Sequence, residues 1–330
     1  MQKYTISERE DGLTLEKYVR KVLNTAPLSF IYKLFRKKDV KVNGHWEDRK
    51  YIVHAKDEVA IYVTSNQLEE FNQKNAYTPN DMIKDWIIYE DDQILLINKP
   101  RGVLVQKGEN THQKALDQMV IEYEMSTGAY HPEEENAFVP GPAHRLDRNT
   151  SGLIAFGKTH QALEYLFHLL KERDAIGKHY LTLVYGKIEK DGYVDVPLLK
   201  DEETNTVHVA YKEKGGKVAK TIYKVVENLG DYTLLDVTLV TGRTHQIRVH
   251  LAYIHHPVVG DSKYGDFKIN NEFNKEFGFK NQFLHASEMH FGHLEEPFSY
   301  LSSRKFVAPL PSELDKVIEQ LKEKLDYDSE

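Results

Sequence analysis

The sequence predicts an α+β fold in two parts: a small N-terminal α+β module at residues 1–63, and a larger domain at residues 85–330 with a mixed or antiparallel sheet. Apolar residues recur at helical spacing near the N-terminus. In the second half, strand-like segments follow one another without a regular alternation of strand and helix. Between the two parts, residues 64–84 are polar and lack a clear period, which is typical of a connector.

The N-terminal module is predicted to contain two helices followed by short strands. Val40–Val42 alternates apolar and polar residues, and the pair Asn43-Gly44 after it is a strong signal for a tight hairpin. The helices are predicted from apolar residues that recur on one face: Leu15, Val19 and Leu23 in the first, and Phe30, Ile31 and Leu34 in the second.

The larger domain is predicted to combine several strands with two clear helices. One helix follows Thr159, whose side chain can cap it, and the other starts at Ser312 near the C-terminus. Because no strand–helix–strand repeat is evident, a mixed or antiparallel sheet is favoured over a parallel one. The predicted strands are Trp86–Tyr89, Ile94–Pro100, which is closed by the proline, Tyr180–Tyr185, Thr221–Val226 and Tyr232–Val240.

Composition narrows the class of protein. The chain has no cysteine, which excludes disulfides and thiolate zinc sites and agrees with a cytoplasmic location. No apolar run reaches the roughly 18 residues of a membrane span, and no secretory signal is expected. The net charge is −7, but residues 1–63 hold 13 Lys and Arg against 9 Asp and Glu. This local excess is compatible with a nucleic-acid partner, because phosphate contacts need only a basic patch.

The most informative stretch is His144–Gly152, in which Asp147 stands between two arginines and a turn sequence follows. Neighbouring guanidinium groups keep a carboxylate ionised, so this aspartate is a candidate catalytic group. The alternative is an ordinary turn, since Asp followed by Asn, Thr, Ser and Gly often bonds its own backbone. Two later motifs, Gly242–His250 and His256–Gly265, favour the catalytic interpretation when all three are taken together.

These motifs resemble the RluA family of RNA pseudouridine synthases, and Asn98–Gly102, Lys178–Gly186 and Leu284–Ala286 match the family as well. The resemblance implies an enzyme that detaches uracil from its sugar, rotates it and rejoins it through a ring carbon. Since the atoms are conserved, it implies no cofactor and no metal. One departure is Gln106, which stands where family members often have a histidine, so no role of that histidine is carried over.

The resemblance implies three central residues. Asp147 would act beside the sugar, and the sequence leaves open whether it is a nucleophile or a base. Tyr180 would stack on the target uracil and exchange a proton, and Arg248 would form an ion pair with Asp147. Outside the family motifs, the alternatives are an ordinary aromatic residue on a half-buried strand and a surface charge.

A uridine inside folded RNA has to be extruded before its ring can react, so the resemblance also implies residues that hold the extruded nucleotide. Those next to the aspartate would fill or hold the vacated space, an apolar side chain would form a wall against the uracil, and further arginines would contact phosphates. The predicted substrate-binding residues are His144, Arg145, Lys178 and Leu284, and the predicted phosphate contacts are Arg148, Arg173 and Arg243.

The N-terminal module resembles the small RNA-binding module called the αL motif. In that motif a basic helix end and the following hairpin face the RNA. A solvated, charged helix end is the alternative. The start of the module departs from the usual Arg-Leu-Asp triplet and reads Leu13–Glu16 instead. The predicted RNA-binding residues of the module are Lys33, Arg36, Lys37, Lys38 and Lys41.

A metal site is a further alternative, because His245, His250, His255 and His256 lie within twelve positions. Metal-binding pairs on a helix usually lie three or four residues apart and have a carboxylate ligand nearby. The separation of five between His245 and His250 instead indicates opposite faces. We therefore expect no metal ligands in this chain.

RNA is the predicted partner, with large-subunit ribosomal RNA as the substrate and transfer RNA as the alternative. The chain is expected to act as a monomer away from membranes. A non-catalytic RNA-binding factor of ribosome assembly is a rival class, which the joint presence of Asp147, Tyr180 and Arg248 disfavours. A two-carboxylate glycosidase is also disfavoured, because no second acid is identified in a matching motif.

Overall fold

The computed structural model describes residues 1–73, 77–108, 113–134, 136–172 and 175–329, and it confirms the predicted α+β class. The helices are α1 (Leu15–Val22), α2 (Leu28–Arg36), α3 (Ser65–Phe71), α4 (Leu116–Ser126), α5 (His160–Leu169), α6 (Gln246–Tyr253), α7 (Phe267–Phe277) and α8 (Ser312–Ser329). The strands are β1 (Gln2–Thr5), β2 (Val40–Val42), β3 (His45–Trp46), β4 (Glu58–Ile61), β5 (Ile87–Glu90), β6 (Ile94–Lys99), β7 (Gly141–Pro142), β8 (Ser151–Gly157), β9 (Ile176–Tyr185), β10 (Gly192–Asp195), β11 (Leu198–Asp201), β12 (Thr206–Val209), β13 (Lys220–Leu229), β14 (Tyr232–Leu239), β15 (Leu284–Phe291) and β16 (Lys305–Val307).

The described residues form two compact units, each drawn from separate stretches of the chain. The first unit comprises Met1–Leu96, Gln106–His144 and Ala155–Phe167, and the second comprises Ile97–Val105, Arg145–Ile154 and His168–Glu330. None of the described helices combines the length and the apolar composition that crossing a bilayer requires.

The first unit begins with an antiparallel sheet of order β1-β4-β2-β3. The predicted apolar face of α1 is buried in its core, where Leu15, Val19 and Leu23 are at most 1% exposed. The predicted hairpin joins β2 and β3. Asn43 and Gly44 both have positive φ, 50° and 84°, as a tight two-residue hairpin turn requires.

The segment predicted as a connector contains a helix, α3, that was not predicted from the sequence. Thr64 Oγ1 accepts a hydrogen bond from the backbone N–H of Gln67, whose side chain accepts one from the backbone N–H of Thr64. Leu68 and Phe71 pack against the core of the first unit. The helix has seven residues and is too short to show a clear period, so its cap was the only signal in the sequence.

The second unit is built on a mixed sheet that includes the strands β10-β13-β14-β9-β15-β8 in this order, with β16 paired to β15. Strand β15 is parallel to β8 and antiparallel to β9 and β16, in agreement with the predicted mixed sheet. The C-terminal helix α8 begins at Ser312 as predicted. Its apolar face, with Leu314, Val317 and Leu321, shares a core with Leu183 of β9.

Gly152, the last residue of the His144–Gly152 motif, allows β8 and β15 to approach each other. It has φ 111°, and a Cβ atom there would lie 2.2 Å from the carbonyl oxygen of Ala286. A side chain at this position is therefore incompatible with the pairing of the two strands. The close pairing fixes the start of β8, and the turn that carries Asp147 directly precedes it.

Candidate active site

Asp147 lies in a tight turn of the second unit, just before β8. The backbone N–H of Thr150 donates to the Asp147 carbonyl oxygen over 3.0 Å, and the Asn149 amide donates to Asn281 Oδ1 over 3.1 Å. The Asp147 side chain is 27% exposed. The motif is therefore a turn, as the alternative interpretation held, but its carboxylate also contacts residues distant in sequence.

Arg248, on α6, forms an ion pair with Asp147. Its Nη1 donates to Asp147 Oδ2 over 2.8 Å, although 101 positions separate the two residues. The guanidinium group is largely buried. Burial opposes its charge, but the carboxylates of Asp261 and Asp147 raise the pKa of Arg248 above its usual range. The pair therefore keeps a permanent cation beside the Asp147 carboxylate.

Asp261 holds the other side of the same guanidinium group. Arg248 Nε donates to Asp261 Oδ2 over 2.6 Å and Nη2 donates to Oδ1 over 2.8 Å, a bidentate arrangement. The backbone N–H groups of Lys263 and Tyr264 also donate to Oδ1. Burial alone would raise the pKa of the Asp261 carboxyl, but the bonds and charge of Arg248 lower it below the usual range. Asp261 therefore orients Arg248 toward Asp147.

No role was predicted for Asp261 from the sequence, although it lies in the His256–Gly265 motif. A second acid does therefore occur in a matching motif, contrary to the reason given against a glycosidase. Both Asp261 oxygens accept hydrogen bonds from Arg248, and the side chain is fully buried. An acid committed in this way is unavailable for proton transfer, so the disfavoured glycosidase chemistry gains no support from it.

His245 and Tyr264 complete the surroundings of the carboxylate. His245 Nε2 lies 3.7 Å from Asp147 Oδ1, and its Nδ1 lies 2.7 Å from the Tyr264 hydroxyl. The Tyr264 ring also faces the Arg248 guanidinium, at 5.0 Å from ring centroid to Cζ. Burial lowers the pKa of His245, and the Asp147 charge opposes this lowering. In the sequence, His245 was a candidate only for metal binding.

The start of α6 is fixed by Gln246, which is buried. Its Oε1 accepts from Thr241 Oγ1 and from the backbone N–H of Arg243, and its Nε2 donates to Thr221 Oγ1 and to the Lys220 carbonyl. These four bonds join the loop before α6 to strand β13. These bonds hold the start of α6 against the sheet. They explain why Arg248 is buried although the Gly242–His250 motif is rich in basic residues.

Tyr180 and Lys178 lie two residues apart on β9 and therefore share one face of that strand. Tyr180 is 7% exposed, and both burial and the charge of Asp147 raise the pKa of its phenol. Burial lowers the pKa of the Lys178 ammonium, whose Nζ would lie 3.6 Å from a Cβ atom placed on Gly242. Both side chains thus belong to the surroundings of the Asp147 and Gly242–His250 motifs.

Lys99 donates a hydrogen bond to the turn that carries Asp147, although no specific role was predicted for this lysine. It is fully buried, and its Nζ donates to the carbonyl oxygens of Pro100, Val103 and Arg148 at 2.9–3.1 Å. Burial lowers the pKa of this ammonium to about 7, and the Asp147 charge opposes the lowering. Lys99 thereby joins the loop after β6 to the turn that carries Asp147.

The remaining predicted residues of the second unit have varied surroundings. Leu284 is 4% exposed at the start of β15, and Arg145 is exposed. Arg148 Nε donates to the Gly102 carbonyl, and Arg243 Nε donates to the Val218 carbonyl. Both arginines are exposed. Arg173 lies outside the described residues.

The predicted residues of the first unit are described separately. His144 Nε2 accepts a hydrogen bond from the backbone N–H of Ala155, so at least one ring nitrogen has a local structural partner. In the N-terminal module, two lysines lie over exposed aromatic rings: Lys38 over Trp46 at 5.1 Å and Lys41 over Tyr62 at 5.3 Å. Lys33, Arg36, Lys37 and Lys38 are exposed, and Lys41 is partly exposed.

The described histidines do not form a metal site. Among the residues that the structure describes, no group of three or more His, Asp or Glu side chains is arranged so that it could hold a metal ion. His250, for example, bonds Thr221 through Nδ1 and the Val196 carbonyl through Nε2. The described geometry instead offers a carboxylate paired with a fixed guanidinium group, and a buried phenol. Such a group of residues can supply a nucleophile or a base.

Comparison with protein families gives a match to the model described as RNA pseudouridylate synthase, over residues 93–253. The chain is 32% identical to ribosomal large subunit pseudouridine synthase C of Vibrio vulnificus (strain CMCP6) over 322 residues, which cover 96% of this chain and 95% of that protein. It is 34% identical to the protein of the same name from Salmonella typhi, with coverage of 97% and 96%.

Comparison with solved structures supports the fold. Human RNA pseudouridylate synthase domain containing 4 matches with a TM-score of 0.58 at 22% identity. The match covers 73% of this chain and 94% of the human chain. At this identity the likeness concerns the fold alone.

Proposed function

Because this chain belongs to the RluA family of RNA pseudouridine synthases, we propose that it isomerises uridines of large-subunit ribosomal RNA, with Asp147 as the catalytic carboxylate. In this reaction the bond from base N1 to sugar C1′ breaks and a bond from base C5 to C1′ forms. The C5 proton leaves, and N1 gains a proton.

The observation that carries this proposal is the ion pair of Asp147 and Arg248. A carboxylate must be ionised to attack a sugar carbon or to remove a sugar proton. The guanidinium group holds Oδ2, and Asp261 holds the guanidinium group in turn. Oδ1 is then the oxygen that acts on the sugar. Either mechanism, covalent adduct or proton abstraction, uses the same oxygen.

Tyr180 is proposed to stack on the detached uracil. Since burial and the Asp147 charge raise its pKa, the phenol is protonated at neutral pH and serves as a hydrogen-bond or proton donor. Lys178, on the same strand face, is proposed to contact a phosphate of the extruded nucleotide. Leu284 is proposed as the apolar wall against the ring.

Extrusion of the nucleotide is proposed to involve exposed basic residues of the His144–Gly152 and Gly242–His250 motifs. Arg145 would occupy the space that the uridine vacates, and Arg148 and Arg243 would bind phosphates. His144, whose Nε2 accepts a backbone hydrogen bond, is also proposed to bind the substrate.

The N-terminal module, residues 1–63, is proposed to dock on RNA, with residues 64–84 as the connector to the catalytic part at 85–330. Lys41, Trp46 and Tyr62 lie on one face of the four-stranded sheet, because Lys41 pairs with Trp46 and its ammonium covers Tyr62. Trp46 is 45% exposed and Tyr62 is 41% exposed. Exposed rings between lysines suit RNA, since bases stack on rings while ammonium groups bind phosphates.

Ribosomal RNA is favoured over transfer RNA because relatives that match 95% or more of this chain carry the large-subunit name. A catalytic enzyme is favoured over a non-catalytic assembly factor, since the carboxylate is paired and its guanidinium partner is oriented. We further propose that the enzyme is monomeric and cytoplasmic, the location with which the absence of cysteine agrees.

The test is tritium release from RNA labelled at uridine C5, with ribosomal RNA and transfer RNA offered separately to the purified chain. Release from large-subunit RNA is expected. Asp147→Asn should abolish it while leaving RNA binding and the thermal unfolding midpoint nearly unchanged, and the exposed Asp92→Asn serves as the control for loss of an acidic residue. Release from transfer RNA alone would contradict the proposed substrate, and substantial activity of Asp147→Asn would contradict the catalytic assignment.

A further inference from the structure

His245 occupies a constrained position beside the reactive carboxylate. Its side chain is 9% exposed, and its backbone has φ 51°, in the left-handed region that non-glycine residues seldom adopt. It directly precedes α6, the helix that carries Arg248. The unusual backbone conformation directs the ring to Asp147 on one side and to Tyr264 on the other.

The groups around the His245 ring are compatible with one assignment of hydrogen-bond donors and acceptors. The backbone N–H of Val207 donates to the Tyr264 hydroxyl oxygen over 2.8 Å. At the other end the Asp147 carboxylate can only accept, so a bond between the two groups requires the proton on Nε2, the histidine nitrogen that faces it. In a neutral ring with this tautomer Nδ1 is an acceptor, to which the Tyr264 O–H can donate.

The charges facing His245 favour the neutral ring. Burial disfavours its protonation, and the nearby cations Arg248 and Lys263 act in the same direction. Asp147 and Asp261 act in the opposite direction, but both are already paired with Arg248. The balance lowers the pKa of His245, so the ring is neutral at neutral pH.

We propose that His245 is a positioning residue that presents its Nε2–H to Asp147 Oδ1, the oxygen that Arg248 does not hold, and that Tyr264 fixes the required tautomer. This inference rests on the proposed function, in which Oδ1 acts on the sugar. A neutral donor restrains this oxygen less than a second cation would, so Oδ1 keeps its basicity and nucleophilicity. The 3.7 Å separation is longer than a hydrogen bond, so the proposed bond requires Nε2 and Oδ1 to approach each other.

His245 also links the Asp147 carboxylate to the two-stranded sheet of β11 and β12 in the second unit. Val207 belongs to β12, which pairs with β11 in a two-stranded sheet. The order Val207, Tyr264, His245, Asp147 therefore connects this sheet to the active site through three successive contacts. A residue that acts through another should lose its effect when the intermediate residue is replaced, which makes the proposal measurable.

The main variant is His245→Asn, because asparagine tolerates left-handed backbone and lacks the imidazole ring. The matched control is His255→Asn, since His255 is exposed and has a similar φ of 65°. With ribosomal RNA as substrate, we expect His245→Asn to lower kcat about 10-fold to 100-fold with little change in KM, as expected for loss of a hydrogen bond to a charged group. His255→Asn should match the wild type.

Tyr264→Phe tests whether Tyr264 acts on Asp147 through His245, a series of contacts that we call the relay. Alone it should lower kcat severalfold, and it should have no further effect when combined with His245→Asn. Equal activity of His245→Asn and His255→Asn would overturn the proposal. A Tyr264→Phe effect of the same size in both backgrounds would show that Tyr264 does not act through His245 and would overturn the relay.

A nitrogen NMR spectrum of histidine-labelled protein provides a readout that does not depend on turnover. We expect the Nε2–H tautomer for His245 at neutral pH in the wild type. An Nδ1–H tautomer or an imidazolium would overturn the proposal. If the wild type instead formed no pseudouridine in any RNA, the proposed function would fail, and the NMR spectrum would still test the placement of His245.

Discussion

Arg248 contacts Asp147 through Nη1, whereas its Nε and Nη2 are both bound to Asp261. The bidentate bond to Asp261 fixes the plane of the guanidinium group, and the direction of Nη1 follows from that plane. The ion pair at Asp147 therefore depends on a residue that does not touch Asp147 in any described contact. Asp261 is fully buried and thus insulated from screening by water.

Replacing Asp261 should affect both stability and activity. Asp261→Asn leaves a buried guanidinium group with one partner, and breaking a buried pair of this kind costs about 3–5 kcal/mol of unfolding free energy. Urea unfolding at neutral pH measures this loss. Turnover should also fall strongly, because Nη1 is no longer directed at Asp147. The exposed Asp231→Asn is the control, and equal midpoints for the two variants would contradict the role of Asp261.

The stability contributed by Asp261 should depend on pH with a definite sign. Its folded pKa lies below the unfolded value of 3.8, so the contribution is fully present above about pH 4–5 and is lost as pH falls through the folded pKa. The difference in unfolding free energy between wild type and Asp261→Asn should therefore shrink as the pH is lowered below about 4. A difference that stayed constant down to about pH 3 would argue against an ionised Asp261.

Two variants of Tyr180 should distinguish the stacking role of its ring from the proton-donating role of its hydroxyl group. Tyr180→Phe retains the ring and should keep the affinity for RNA, while loss of the hydroxyl lowers kcat. Tyr180→Ala removes the stacking surface as well and should raise KM, since base–aromatic stacking contributes about 1–3 kcal/mol. Steady-state kinetics with labelled ribosomal RNA measures both constants. Equal KM values for the two variants would contradict a stacking role.

The sequence predicted features that depend on local chemistry or on long motifs. The hairpin at Asn43 and Gly44 is determined by two residues, and the buried face of α1 follows from spacing along one helix. The contact between Asp147 and Arg248 spans 101 positions and was implied only because both residues lie in family motifs. No local pattern in the sequence predicts a contact between residues so far apart in the chain.

Other features could not be predicted because they arise from packing between distant segments. The parallel pairing of β15 with β8 joins His285 to Ser151, and nothing near either residue indicates it. The role of Asp261 depends on the position of Arg248, and the role of His245 depends on a left-handed backbone that a histidine seldom adopts. In sequence, His245 is only one member of a histidine-rich stretch, and such a stretch suggests metal binding more readily than support of a carboxylate.

The basic surface of the N-terminal module should contribute affinity but no chemistry. The triple variant Arg36→Ala, Lys37→Ala, Lys38→Ala should weaken RNA binding and reduce the salt slope of log K by about one for each phosphate that is no longer neutralised. Turnover at saturating RNA should remain near that of the wild type. Lys21→Ala, an exposed lysine on α1, is the control. Unaltered affinity and slope in the triple variant would show that this surface does not bind RNA.

The aromatic part of the same surface should respond differently to salt. Trp46→Ala removes an exposed ring and no charge, so it should weaken binding by a factor that does not change with salt concentration. Filter binding at several salt concentrations measures this factor. A loss that disappeared at high salt would indicate that Trp46 acts only by holding Lys38.

Lys99 should make the stability of the second unit depend on pH above neutrality. Its ammonium is buried among three carbonyl oxygens, and burial lowers its pKa from 10.5 in the unfolded chain to about 7. Between these values the unfolded chain binds more protons than the folded chain, so the contribution of Lys99 to stability rises with pH. Lys99→Met cannot titrate. The difference in unfolding free energy, wild type minus variant, should therefore increase from about pH 7 to about pH 9.

Urea unfolding at closely spaced pH values measures this difference, and Lys322→Met, at an exposed lysine of α8, is the control. The control should run parallel to the wild type over the whole range. Activity gives an independent check, because loss of the positive charge beneath Asp147 removes part of its electrostatic support. Parallel stability curves for wild type and Lys99→Met would mean that the ammonium keeps its ordinary pKa, with the three carbonyl bonds compensating fully for burial.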